Sequence, residues 1–130
     1  MILYIYSKYN YMEVDTMNRI KNNTIYHVCK NWDGCNLKSL YKQYGNQAYD
    51  IFLEKWPDAG ELAEYHIHYI HCHFTLDEAK EHQAEHGGQI IAIDVEYLEV
   101  VIDNLEYPHP MIYGEITIDD IIEKKGVHQA

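Results

Sequence analysis

The stretch from Thr75 to Val95 restricts the fold more than any other part of the chain. Thr75-Leu76-Asp77-Glu78 has the form of a capping box, in which the threonine hydroxyl accepts from the amide three residues on and the glutamate reaches back. A helix is therefore expected from Leu76 to His86, stopped at Gly87-Gly88, where the lack of a Cβ lets the chain turn out of helical space. Gln89 to Val95 and Leu98 to Asp103 follow as apolar, β-branched strands separated by a tight connection at Glu96-Tyr97. Ile112 to Ile116 reads as a further strand, and Asp119 to Ile122 as a last helical turn. The second half of the chain is thus strand-rich, and the whole reads as an α+β domain.

Upstream, Thr24 to Cys29 reads as a short strand closed by the turn-rich Lys30-Asn31-Trp32-Asp33-Gly34. From Leu37 the apolar positions Leu40, Tyr41, Tyr44, Ala48, Ile51 and Phe52 keep helical spacing straight through Gly45, which predicts one long amphipathic helix near residues 37–56. Asn36 is its expected cap, and Pro57-Asp58-Ala59-Gly60 its stop. Gly45 costs the helix about 1 kcal/mol relative to alanine, a loss that packing of the stripe offsets. Tyr65 to Phe74 reads as a strand with two mixed faces, Tyr65, Ile67, Tyr69, His71 and His73 on one and His66, His68, Ile70, Cys72 and Phe74 on the other.

A chain of 130 residues accommodates one core, and residues 24–125 are expected to form it as a single domain. Residues 1–23 read as a poorly defined N-terminal arm and 126–130 as a tail. The apolar opening Met1 to Tyr6 is too short for a membrane span and lacks the basic leader of a signal peptide. A formal charge of −11 argues against nucleic-acid binding, which draws its affinity from neutralising phosphates with Lys and Arg. It favours a small-molecule ligand or a basic protein partner. Cys29, Cys35 and Cys72 are odd in number and without paired spacing, so a reducing, cytoplasmic setting is the expectation.

Chemistry concentrates in histidines. Ile25-Tyr26-His27-Val28, Tyr69-Ile70-His71-Cys72 and Tyr107-Pro108-His109 each place a histidine beside an aromatic in or next to a strand-like run. Two roles are open to His27, His71 and His109: hydrogen-bonded core groups, or groups converging on one cleft to move protons or grip a ligand. Elsewhere, His66, His68, His71 and His73 carry imidazoles suited to zinc, nickel or copper, and His82 with His86 has the i, i+4 spacing of a metal pair. No third ligand at a defined distance completes either group, so no metal is assigned, and a solvated helix face accounts for His82 and His86, which Glu78, Lys80, Glu81 and Glu85 surround. Cys72, between His71 and His73, has the neighbours of an activated thiolate, but adjacent strand residues point to opposite faces. Gly87-Gly88 follows a helix and does not open one, so no phosphate loop is present.

Taken together, the three histidine segments, with Ile112-Tyr113-Gly114, Ile91 to Asp94, Leu98 to Asp103 and Asp119 to Ile122, resemble a family of small bacterial proteins of unknown function placed with the ADP-ribosyltransferase-like fold. The likeness runs from Thr24 onward. It implies a split, strand-rich single domain that grips NAD or a related nucleotide between two small sheets, with His27 against a ribose and Tyr69 or His71 on the second motif. Tyr26 and Tyr113 complete the implied cofactor contacts. The place of the late-strand acid of active transferases is taken by His109, with Glu115 a few residues on. Pro110-Met111 is an insertion relative to the family pattern, and only a bulge there would bring Glu115 into register. The resemblance therefore implies an NAD-dependent ADP-ribosyltransferase-like enzyme of weak or lost activity. The alternatives are a nucleotide-binding module without the reaction, an acidic interaction module with structural histidines, and a histidine-rich metal-binding protein.

Overall fold

A computed structural model describes residues 3–6, 19–103 and 109–122. Three antiparallel sheets organise the strands of the described residues. The largest is a four-stranded sheet in the order β1 (Leu3–Tyr6), β6 (Val100–Asp103), β7 (His109–Tyr113), β4 (Tyr69–His71). A two-stranded ribbon joins β2 (Thr24–Cys29) to β5 (Gln89–Asp94), and a short one joins β3 (Leu37–Lys38) to β8 (Glu115–Ile116). The chain is an α+β domain, with four α-helical segments among the described residues: α1 (Leu40–Tyr44), α2 (Ala48–Lys55), α3 (Ala63–His66) and α4 (Leu76–His86). Within the segment expected as an arm, Leu3–Tyr6 pairs with β6 and Ile20 is buried in the main core. The rest of that arm up to residue 18, Tyr107-Pro108 and the expected tail lie outside the described residues. Among the described residues no helix is long and apolar enough to cross a membrane.

The large sheet and the β2–β5 ribbon part company along one segment. Tyr69–His71 pairs with β7, Cys72 still donates its amide to the Pro110 carbonyl, and His73 then exchanges two backbone hydrogen bonds with Tyr26 of β2. The strand expected over residues 65–74 is therefore cut to three residues, because its second half changes sheets and its first half is helical. Alternation along β4 and β7 sends Ile70 and Ile112 into the main core with Ile25, Phe74, Ile91, Ile93 and Ile102. The opposite face, carrying Tyr69 and His71, meets a second apolar cluster built by Ala48, Phe52, Ala63 and Ile67.

The long helix expected near residues 37–56 is corrected by the structure. Leu37–Lys38 pairs with β8, and helix begins only at Leu40, where the buried Ser39 hydroxyl accepts from the Lys42 amide. Asn36, the expected cap, instead accepts from the Ile118 amide and donates to the Glu115 carboxylate. Gly45 then takes φ +60, ends α1 and passes through a 3-10 turn into α2. Unbroken spacing of apolar side chains hides this break, since only glycine enters that backbone region without strain. Downstream, the capping box behaves as expected: Thr75 Oγ1 accepts from the Glu78 amide at 3.1 Å, and Glu78 reaches back to the Phe74 amide at 3.1 Å. Helix α4 ends at Gly87, whose φ is +74.

Candidate functional site

The switch of the chain between sheets places three of the sequence-selected histidines side by side. His27 on β2 donates its Nδ1 proton to the carbonyl of His71, at 2.7 Å. His71 on β4 has both ring nitrogens engaged, Nε2 with the His66 carbonyl at 2.9 Å and Nδ1 with Nε2 of His109 at 2.9 Å. A carbonyl only accepts, so His71 carries its proton on Nε2 and presents a lone pair on Nδ1; His109 therefore donates from Nε2. By the same reasoning neutral His27 keeps its lone pair on Nε2. The tautomers of His27, His71 and His109 are thus each fixed, His27 through the His71 backbone and the other two through each other's rings.

The cluster extends beyond them. His66, at the end of α3, stacks on His71 with ring centroids 4.9 Å apart and lies 6.4 Å from His109. Phe52 of α2 backs both His66 (5.6 Å) and His71 (6.3 Å). One ligating nitrogen from each of His66, His71 and His109 lies within 4.8 Å of the other two. On the other side, His73 contacts His82 at 5.1 Å, and His82 contacts His86 at 4.7 Å. A cleft of about 310 Å³ opens there, lined by Arg19, His73, Glu78, Glu81, His82, Glu85 and His109. Arg19 is held in its wall by an ion pair with Glu78 at 2.5 Å and by the Phe74 ring, 4.4 Å from the guanidinium carbon.

Enclosure keeps these imidazoles neutral. Burial lowers His27 to about 4 against the help of its bond to the His71 carbonyl, with His73 and His82 adding to the depression. Burial and then the neighbouring His109 lower His71 to about 3. His73 and His82 are lowered in the same direction, first by burial; Glu78 opposes this at His73, and Glu85 at His82. At neutral pH His27, His71, His73 and His82 therefore offer lone pairs and N–H groups, not positive charge.

Other sequence-selected residues fall elsewhere. Tyr26, adjacent to His27 on the strand, points the other way and lines a hollow of about 160 Å³ with Lys21, Thr24, Phe74 and Thr75. Tyr69 and Tyr113 face each other across β4 and β7 edge to face at 5.5 Å, and Tyr113 with His68 and Tyr41 makes a separate aromatic group. Glu115 is on β8, opposite Lys38 and bonded to Asn36. Pro110-Met111 forms no bulge, because residues 109–111 pair in unbroken register with 103–101, so nothing returns Glu115 to the histidines. Cys72 is buried, and burial pushes its thiol up, which removes it as a nucleophile.

The sequence names His66 and His73 with His71, and His82 with His86, as metal-ligand candidates, but does not place His66, His73 or His82 beside His109. A strand through residues 65–74 sets His66 opposite His71, whereas helix α3 folds it back over that ring. His82 was read as solvated because glutamates surround it, yet the same glutamates form the cleft wall. No protein-family model, curated protein or solved structure matches the chain.

Proposed function

We propose that the protein is a binding module for a cation, seated in the histidine cleft, and not a transferase that consumes NAD. The lining of the cleft carries this reading. Glu78, Glu81 and Glu85 of α4 line it together with His82 of the same helix and with His73 and His109, and Arg19, the one guanidinium in that lining, is already paired with Glu78. Such a wall attracts a cation and repels a pyrophosphate, and its volume lies at the small end of ligand pockets. A developing oxocarbenium-like centre needs a carboxylate at the reacting atom, and Glu115 is bonded to Asn36 away from the cluster.

Thermal unfolding with added ligands tests the proposal. Zinc or nickel is expected to raise the melting temperature of the full chain by mass action, while NAD and ADP-ribose leave it in place. A rise with NAD and none with either metal would overturn it.

A second reading, nucleotide binding on an ADP-ribosyltransferase-like fold, draws support from the meeting of His27, His71 and His109, which come from the three segments that carry the resemblance. Under that reading NAD raises the melting temperature and His27→Ala abolishes the rise while leaving the unliganded fold in place.

A further inference from the structure

We propose that His66, His71 and His109 are the protein ligands of a transition-metal site whose remaining coordination position faces the cleft; this deepens the cation reading above and rests on it. The three residues come from a helix end and two neighbouring strands, and one nitrogen from each already lies within 4.8 Å of the others. In a tetrahedral zinc shell, with metal–nitrogen bonds near 2.0 to 2.1 Å, ligand nitrogens are about 3.3 Å apart. His71 Nδ1 and His109 Nε2 are 2.9 Å apart, so that pair must open slightly while His66 closes in. Both motions are small for side chains at a partly exposed site.

The hydrogen bonding around His71 is that of a metal ligand. Ligating histidines generally donate their other ring N–H to a carboxylate or backbone carbonyl, which fixes the tautomer and aims the lone pair. His71 does this through Nε2 to the His66 carbonyl, leaving Nδ1 directed at His109. In the metal-free protein a single proton on His109 Nε2 occupies the space between the two lone-pair directions. A metal takes that place when His109 moves its proton to Nδ1, a shift that leaves both rings neutral and turns a lone pair from each toward the ion.

The surroundings define the ion and its exposure. A set of imidazoles selects zinc, cobalt, nickel or copper over magnesium and calcium, which take oxygen ligands. Phe52 closes the side of the site behind His66 and His71, while His109 lines the open cleft. Three protein ligands with a solvent-facing position describe a site that holds an exchangeable water or takes a ligand from solution, in contrast to a closed four-ligand structural site. Glu81 and Glu85, which share the cleft lining with His109, raise the local concentration of a dication.

Titration of the full chain with zinc and with cobalt, followed by calorimetry and by the visible absorption of cobalt, tests this directly. One ion per chain is expected, with the strong visible bands of low-coordinate cobalt. Loss of an outer partner of a metal ligand costs 10- to 100-fold in affinity, so His66→Ala and His109→Ala should each weaken zinc binding by at least about 100-fold. His68→Ala, beside Tyr113 and outside the cluster, should leave it unchanged. Denaturant midpoints of the metal-free variants separate lost ligation from lost folding, and His71→Asn adds a third ligand test where it folds. Zinc binding that survives His66→Ala and His109→Ala but disappears in His73→Ala or His82→Ala would overturn this assignment and leave the cation reading standing. Binding of magnesium or calcium with no response to zinc or cobalt would do the same. No binding of any of these ions would overturn both.

Discussion

Lowering the pH from about 7.5 to about 5 should cost the metal-free protein about 4 kcal/mol of folding stability, about 2 kcal/mol each from His27 and His71. The sign follows from which state binds protons. Unfolded, both imidazoles take up a proton near 6.5; folded, His27 does so only near about 4 and His71 near about 3. Their contribution is complete above 6.5, begins to fall below it, and is gone once the pH passes the folded values. Domains of this size hold a total of roughly 5–15 kcal/mol, so the loss is a large share. Urea titrations across this range measure it. His27→Asn keeps a side-chain N–H for the His71 carbonyl but does not titrate, and should remove about half of the pH dependence above about pH 4. A stability that is flat from neutral to about pH 5 would show that the histidines are protonated in the folded chain.

Phe74→Ala should destabilise the domain by about 4 kcal/mol, the range found for deleting a buried aromatic ring together with the cavity it leaves. The side chain is 1% exposed, sits where the chain leaves the sheet for α4, and packs with Ile25, Ile91 and Ile102. Its ring also carries the Arg19 guanidinium, and its amide is the one that Glu78 accepts. Truncation therefore loosens the cleft wall as well as the core. Phe74→Leu, which keeps most of the volume, should cost less than half as much. A loss below about 1 kcal/mol for Phe74→Ala in denaturant unfolding would remove Phe74 as the link between core and cleft.

Local chemistry made some of this legible in advance and hid the rest. The capping box and Gly87 mark α4 because cap hydrogen bonds involve residues close in sequence. The meeting of His27, His71 and His109 is also open to view, since burying an imidazole calls for a partner, although of the three only His109 lines the cleft. The break at Gly45 was not, because apolar spacing measures which face is buried and says nothing of a backbone angle. The place of His66 over the His71 ring is hidden for a related reason: strand alternation sets the two on opposite faces, whereas α3 and its turn take over residues 65–68. The change of sheet at Cys72 and His73 depends on Pro110 and Tyr26, partners far away in sequence. The glutamates of α4 read as an ordinary wet helix face, because His73 and His109, which share the cleft with them, come from other elements of the fold.

Ring-nitrogen NMR of the histidines, recorded at neutral pH before and after one equivalent of zinc and then with excess NAD, tests the central claim most directly. The metal-free spectrum should show His71 neutral with its proton on Nε2 and His27 neutral with its proton on Nδ1. Zinc should move His71 Nδ1 together with ring nitrogens of His66 and His109, and NAD should move none of them. A spectrum that zinc leaves unchanged and NAD shifts at His27 and His71, or one in which His71 is already an imidazolium, would contradict the account.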